Sequence, residues 1–100
     1  MNLGEALEAV KNGKRAARAG WNGKKMFVYL MPGSAPLATE VKTVDGVDLI
    51  NGVRTDLFTD GDTGTAIRMP SFCLRAADGS SVVGWLASQT DMAAEDWELV

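Results

Sequence analysis

Apolar positions at the start of the chain recur at helical spacing. The apolar face of a helix predicted over about residues 3–12 is formed by Leu3, Ala6, Leu7 and Val10. Asn2 and Glu5 have the spacing of a capping box, in which each side chain accepts from the other residue's backbone N–H. Gly13 accepts the left-handed conformation without a Cβ clash, so it predicts the end of the helix.

Denser apolar runs after this helix predict strands. Residues 16–20 predict a short strand or connector, and residues 25–31 predict a second strand. Because this second run is apolar almost throughout, we expect it to be buried on both faces, one of them against another subunit. Asn22-Gly23 favours positive φ and predicts a turn that joins antiparallel strands. Pro32-Gly33 ends the second strand.

Two hairpins are predicted in the second half, at Asp45-Gly46 and at Asp78-Gly79. Their flanking strands are residues 41–44 and 47–50 for the first, and 67–76 and 81–86 for the second. Pro70 cannot donate to a sheet ladder, so it marks a strand start or edge. Ser88 or Thr90 caps a short helical turn through Ala94. Trp97 begins a closing strand.

These elements predict an α+β fold in which the N-terminal helix packs on a twisted antiparallel β-sheet. One hundred residues correspond to one small domain, residues 1–100, whose modest core would gain from oligomerisation. No apolar run approaches the roughly 20 residues of a membrane span, so we expect no membrane partner. Cys73 is the only cysteine of the chain, and we expect its small side chain to lie in the core. Because a single cysteine cannot form an internal disulfide, it fits a reducing cytosol.

The charges that sum to the net charge of −3 are unevenly distributed along the chain. Residues 1–25 hold six basic and two acidic side chains, whereas residues 26–100 hold four basic and eleven acidic ones. Binding to DNA or RNA needs many cations along an extended track, so neither is an expected partner. The basic segment can still hold a small anion, or it can be a solvated helix face.

The chain lacks the residues that most catalytic mechanisms need. The chain contains no histidine and one cysteine, which removes the usual general base, every Ser-His or Cys-His pair and a zinc site. Asp60 and Asp62 suggest calcium, but Gly64 occupies the third ligand position and no glutamate closes the loop, so we predict a solvated turn. No cofactor is expected. Absence of catalytic groups favours a binding protein.

Trp21 lies beside a turn whose amides and lysines suit a phosphorylated ligand. Its indole could stack on a base, while Lys24 and the backbone N–H groups of Asn22 and Gly23 meet a phosphate. Alternatively, Trp21 anchors the first helix to the sheet. Arg68 could bind phosphate bidentately, or it could be an ordinary exposed arginine.

A second polar group lies near the end of the chain, where residues 88–91 could contact ribose hydroxyls or base edges, or cap the next helical turn. Trp85 and Trp97 suit the core or a subunit contact, and Met69 and Met92 are core fillers by default. The full set of candidate ligand-binding residues is Trp21, Asn22, Gly23, Lys24, Arg68, Met69, Pro70, Trp85, Ser88, Gln89, Thr90, Asp91 and Met92.

Motifs at both ends of the chain resemble the Thoeris anti-defence 2 family of phage proteins. The motifs are Leu3-Gly4-Glu5-Ala6-Leu7 followed by Arg15 and Trp21-Asn22-Gly23, and Trp85-Leu86-Ala87-Ser88-Gln89-Thr90-Asp91-Met92 followed by Glu95-Asp96-Trp97. Residues 34–66 carry no such signature.

The resemblance implies a phage anti-defence sponge rather than an enzyme. Such proteins are homo-oligomers, typically tetramers, in the cytoplasm of the infected bacterial host cell. They sequester cyclic ADP-ribose-type immune signals, such as glycocyclic ADP-ribose, without cleaving them, and some also hold cyclic oligonucleotides. Two alternatives stay open: a protein-binding inhibitor of a host defence protein, and a small nucleotide-processing enzyme that uses Asp91, Glu95 or Asp96.

Overall fold

A computed structural model of the chain describes residues 1–33, 41–50, 53–57 and 68–100. It contains two compact units: unit 1 comprises residues 1–31 and 71–100, and unit 2 comprises residues 32–70. An N-terminal helix and two antiparallel sheets confirm the predicted α+β class. Assignment of residues 1–100 to one domain stays a prediction. No helix among the described residues is long and apolar enough to cross a membrane.

The first helix, α1, is Leu3–Lys11 and begins with the predicted capping box. The Glu5 N–H donates to Asn2 Oδ1 at 2.9 Å, and the Asn2 N–H donates to Glu5 Oε1 at 3.1 Å. These bonds satisfy N–H groups that the first helical turn leaves without partners. Gly13 follows the helix with a φ of +90°, which confirms the predicted stop.

Unit 1 contains a five-stranded antiparallel sheet. Along the chain, its strands are β1 (Ala16–Arg18), β2 (Phe27–Met31), β6 (Ser71–Arg75), β7 (Ser81–Val83) and β8 (Trp97–Leu99). Their spatial order is β7-β6-β2-β1-β8, so the short β1 lies between β2 and the closing strand. Strand β6 begins directly after Pro70, which confirms that this proline marks a strand start.

The connection between β1 and β2 differs from the predicted Asn-Gly turn. Residues Ala19–Lys24 form a 3₁₀ helix, and the left-handed residue that follows it is Lys25, with a φ of +55°. Trp21 lies in this 3₁₀ helix, and its ring packs against Trp97.

The core of unit 1 lies between α1 and one face of the sheet. Its buried members are Ala6, Val10, Ala16, Val28 and Trp97, with half-buried Leu3, Trp21, Leu30, Phe72, Leu74, Trp85 and Ala94 packed around them. Cys73 is fully buried, as predicted. Of the β2 residues only Val28 is buried and the others are half-buried. Burial of the second face of β2 against another subunit stays a prediction.

Residues 76–80 join β6 to β7, and the antiparallel pairing of the two strands confirms the hairpin predicted at Asp78-Gly79. The three loop residues, 77–79, lie between Ala76 and Ser80, which are joined by a hydrogen bond. The Ala76 N–H donates to the Ser80 carbonyl at 2.8 Å, and Gly79 has a φ of +90°. A glycine in this conformation is typical of three-residue hairpin loops. Both strands are shorter than predicted, because β6 starts after Pro70 and β7 ends before Gly84, whose φ is +81°.

Unit 2 contains the hairpin predicted at Asp45-Gly46. Strands β3 (Val41–Val44) and β4 (Val47–Ile50) pair antiparallel, β5 (Val53–Arg54) pairs with β4, and a 3₁₀ helix follows at Thr55–Leu57. The turn residues have φ values of +51° and +78°, as a two-residue turn of this type requires. The turns predicted at Asn51-Gly52 and at residues 60–64, with the Asp60 and Asp62 pair, lie outside the described residues.

Candidate functional site

The polar run near the chain end forms a second capping box. Helix α2 is Gln89–Ala93, and its N-cap is Ser88. Ser88 Oγ accepts from the Asp91 N–H at 3.1 Å, and the Asp91 carboxylate accepts from the Ser88 N–H at the same distance. The capping role considered for this run is therefore confirmed for Ser88 and Asp91.

Arg18 connects α2 to the sheet. Its Nη1 lies 3.1 Å from Asp91 Oδ1 and its Nε lies 3.0 Å from Asp96 Oδ1. The exposed fractions of the Arg18 and Asp91 side chains are 26% and 14%, so this ion pair is shielded from much of the solvent. Residues near the two ends of the chain are thus held together by one guanidinium.

These contacts set the charge state of Asp91. Partial burial opposes its ionisation, but the hydrogen bonds from Ser88 and the charge of Arg18 outweigh burial and lower the pKa of Asp91 below its usual value of 3.8. Hydrogen bonds to Asp96 and then Asp91 raise the pKa of Arg18 above its usual value. Both groups of this pair are therefore charged near neutral pH.

The three tryptophans form a cluster around Trp97, which is 2% exposed. The centroids of Trp21 and Trp85 lie 5.3 Å and 6.0 Å from that of Trp97, both in edge-to-face arrangements. The Trp97 indole N–H donates to the Asp91 carbonyl at 2.9 Å. Edge-to-face contacts stabilise aromatic packing, so this tryptophan cluster supports the packing roles considered for all three rings.

Three exposed side chains of α2 lie outside the reciprocal pair of hydrogen bonds that forms its capping box. Gln89 and Met92 are exposed, and the exposed Thr90 hydroxyl lies 3.0 Å from the Ser88 hydroxyl. We call Gln89, Thr90 and Met92 the α2 face. Met92 is 47% exposed, so its default assignment as a core filler is wrong. An amide, a hydroxyl and a thioether on a short, firmly held helix can contact a ligand through hydrogen bonds and apolar area.

The other predicted site residues are divided between the two units. Asn22, Gly23 and Lys24 lie in the 3₁₀ helix of unit 1, and their side chains lie outside the described part of the chain. Residues 68–70 belong to unit 2 and are exposed there. Met69 is 75% exposed, so it is no core filler. Ligand binding by any of these residues stays a prediction.

Two of the three acidic residues considered for catalysis, Asp91 and Asp96, are held in structural contacts. Asp91 and Asp96 both pair with Arg18, and Asp91 also serves the cap, so neither is placed as a general acid or base. Among the described residues, no three histidine, cysteine, aspartate or glutamate side chains cluster as metal ligands would.

A second group of residues in unit 1 is not related by any pattern in the sequence. Arg15, Phe27 and Arg75 come from three separate strands or their ends, and they line one cleft together with Lys25. The basic segment gave a signal for Arg15 and Lys25, but nothing local in the sequence relates them to Arg75. Only the strand pairing brings them together.

Comparison with known proteins agrees with the motifs at the chain ends. Residues 1–100 match the Thoeris anti-defense 2-like domain. The chain is 36% identical over 100 residues to Thoeris anti-defense 2 of Bacillus phage SP01, and the match covers all of this chain and 94% of that protein. These matches support a phage anti-defence role. The chain belongs to the Thoeris anti-defence 2 family.

Proposed function

We propose that this protein is a phage anti-defence sponge that binds a cyclic ADP-ribose-type immune signal and keeps it intact. The observation that carries the proposal is the exposed α2 face, mounted on a capped and ion-paired helix, in a chain that matches the family over its whole length. The proposed ligand is glycocyclic ADP-ribose or a related cyclic nucleotide. The proposed ligands also include cyclic oligonucleotides. No cofactor is needed, because sequestration breaks no bond.

Rigidity of the site supports tight binding. The Ser88–Asp91 box, the Arg18 pairs and the Trp97 indole bond fix α2 before any ligand arrives. A preformed site loses less conformational entropy on binding, so more of the contact energy appears as affinity. Slow release then keeps the free signal low, which is what a sponge needs.

The proposed site also includes the residues whose roles stay predictions. Trp21 is half-buried, so part of its ring surface is available to stack on a base while an edge-to-face contact holds it against Trp97. Lys24 and the backbone N–H groups of Asn22 and Gly23 extend the ligand set that we propose for unit 1. Ligand binding by Arg68, Met69 and Pro70, which belong to unit 2, is a separate expectation. Trp85 contributes by supporting the tryptophan cluster.

We propose that the chain acts in the cytoplasm of the infected bacterial host cell as a homo-oligomer, with a tetramer as the expected form. Exposed apolar side chains on outer strands of unit 1 support assembly: Val82, Val83 and Leu99 are 48%, 62% and 44% exposed. A small chain gains stability when subunits cover such area. Subunit contacts also create concave surfaces that enclose a small ligand.

The test uses the purified full chain and glycocyclic ADP-ribose. The protein is mixed with a slight excess of signal, filtered to remove free nucleotide, and then heated to denature it. We expect the signal to be retained on filtration and recovered chemically intact after heating, as shown by liquid chromatography with mass detection. Failure to retain any cyclic nucleotide, or recovery of a cleaved product, contradicts the sponge.

A protein-binding inhibitor is the second candidate, because Leu86 is 88% exposed and a large exposed apolar side chain suits a protein partner. This candidate predicts a stable complex with a host defence protein and no retained nucleotide. The same filtration experiment therefore separates the two, since only the sponge withdraws the small molecule from solution.

A further inference from the structure

The 3₁₀ helix that follows β1, Ala19–Lys24, is attached to the chain end at its first residue, and we call this helix the connector. The Ala19 N–H donates to the Asp96 carbonyl at 3.1 Å. The neighbouring Arg18 donates through Nε to the Asp96 carboxylate at 3.0 Å. A main-chain bond and a side-chain bond from adjacent residues therefore reach the same residue, and together they fix where the connector leaves the sheet.

Arg18 extends this attachment to α2. Its Nη1 donates to Asp91 Oδ1 at 3.1 Å, and Asp91 forms the capping box of α2 with Ser88. Because one planar guanidinium donates from two nitrogens to two carboxylates, it sets the positions of Asp91 and Asp96 relative to each other. The Arg18 and Asp91 side chains are both mostly shielded from solvent, so water competes weakly for the bond between them.

The tryptophan cluster makes a second link between the connector and α2. The Trp97 ring contacts the ring of Trp21 on the connector, and the Trp97 indole N–H donates to the Asp91 carbonyl. The two elements are thus joined by one charged link and one link through Trp97. The connector presents the half-buried Trp21 and the other element presents the α2 face, so the two links determine the spacing between these groups.

We propose that Arg18 is a positioning residue that makes the connector and the α2 face a single binding site. It acts through Asp91 and Asp96 and does not itself contact the signal. This inference rests on the proposed function, because it concerns how the same site holds its ligand. A ligand that contacts both Trp21 and the α2 face keeps all its contacts only while the two surfaces hold their spacing. Loosening this spacing should therefore accelerate release more than it slows encounter.

The experiment measures release of glycocyclic ADP-ribose from the full chain and from Arg18→Lys, at a temperature where thermal melts show both to be folded. Lysine keeps the positive charge but lacks the fork that reaches two carboxylates. We expect release to be about fivefold faster, with the association rate changed by less than about twofold. Arg54→Lys is the matched control and should change neither rate, because Arg54 also pairs with an aspartate, Asp56, but is exposed and belongs to unit 2.

A double-mutant cycle separates positioning from a general loss of stability. Gln89→Ala removes one proposed contact on the α2 face, so Arg18→Lys should accelerate release less in that background than in the unmodified chain. Effects of the two changes that simply add overturn the positioning role. Equal release from Arg18→Lys and the unmodified chain also overturns it, as does equal acceleration by Arg54→Lys.

Hydrogen exchange of the ligand-free chain provides a readout that does not depend on the signal. Arg18→Lys should speed exchange of backbone amides in both the connector and α2, while exchange in α1 stays unchanged. Faster exchange in only one of the two elements, or in neither, contradicts their coupling. Failure of the unmodified chain to retain the signal on filtration contradicts the proposed function, and the exchange result then decides the coupling by itself. Failure of the sponge is therefore distinguishable from failure of the role assigned to Arg18.

Discussion

Asp91 has more structural connections than any other residue of the candidate site. Its carboxylate accepts from the Ser88 N–H and pairs with Arg18, while its carbonyl accepts from the Trp97 indole. One residue thus links the cap, the sheet and the tryptophan cluster. We attribute the fixed position of α2 mainly to these contacts.

The lowered pKa of Asp91 predicts how stability changes with acidity. The folded chain holds this carboxylate ionised more strongly than the unfolded chain does, so its contribution is fully present above the unfolded pKa, near 3.8. The contribution is lost as pH falls from there through the folded pKa. Asp91→Asn should therefore lower the melting temperature near pH 7, and the difference from the unmodified chain should shrink below about pH 4. Thermal melts followed by circular dichroism across this range provide the measurement.

Asp56 supplies the control for this prediction. Its pKa is also lowered, mainly by the hydrogen bond from Arg54, but both side chains are more than half exposed and solvent screens their ion pair. Asp56→Asn should change the melting temperature much less. A constant difference between Asp91→Asn and the unmodified chain at every pH contradicts the assigned role of ionised Asp91.

Residue-scale features were predicted well where their cause is local. The capping residues Asn2 and Ser88 and the turn residues Asp45-Gly46 act through neighbours within three positions, so their sequence spacing contains the needed information. Lys25 is the counterexample. Lysine has no preference for its left-handed backbone, which follows from how the 3₁₀ helix meets β2. No local pattern indicates that residue.

At the scale of elements, α2 is short but attached at several points. Its capping box lies at one end, and the Trp97 bond reaches its backbone from the closing strand. A five-residue helix has little stability of its own, so these attachments hold it in place. The sequence predicted this turn and its cap, but the Arg18 bridge depends on the pairing of β1 with β8, which sequence spacing does not reveal.

We predict that a substitution on the α2 face changes signal binding without changing the stability of the fold. Gln89 is exposed at the first position of α2 and takes no part in the cap, so Gln89→Ala should preserve the fold. Loss of one amide that contacts the ligand should weaken signal binding by about tenfold, or roughly 1.4 kcal/mol. Competition binding with glycocyclic ADP-ribose, alongside a thermal melt, measures both properties. Glu8→Ala, an exposed change on α1, is the control and should alter neither.

Equal affinity of Gln89→Ala and the unmodified chain removes Gln89 from the site. If Glu8→Ala weakens binding as much, the effect is one of general surface change and the α2 face loses its assignment. A lowered melting temperature for Gln89→Ala would show that the residue stabilises α2, which contradicts its exposure.

At the scale of the whole molecule, the sequence predicted the fold class but not which distant residues meet. The tryptophan cluster joins Trp21 to Trp85 and Trp97 across most of the chain, and one cleft joins Arg15 to Arg75. Both groupings depend on a strand order that places β1 between β2 and β8. Long-range pairing of this kind follows from the packing of the whole unit, so no single segment indicates it.

Strand β7 lies at one edge of the described five-stranded sheet, and we predict that this edge takes part in subunit assembly. The residues of β7 are exposed, and Val83 is 62% exposed. An edge strand with exposed apolar side chains can pair with or pack against another copy of the chain. A lysine there would place charge in any such contact. Val83→Lys should therefore lower the mass of the assembly while changing the stability of the isolated fold by no more than about 0.5 kcal/mol, as exposed substitutions usually do.

Light scattering after size-exclusion chromatography measures this mass for the unmodified chain and for two variants. Val44→Lys is the matched control, since Val44 is also an exposed strand valine, at 49%, but belongs to unit 2. A smaller assembly for Val83→Lys alone assigns β7 to the subunit contact. The same mass for all three chains excludes β7 from that contact, and a monomeric unmodified chain contradicts the proposed oligomer itself. Because the edge valine lies outside the α2 face, signal binding by a dissociated Val83→Lys variant further decides whether one subunit suffices to hold the ligand.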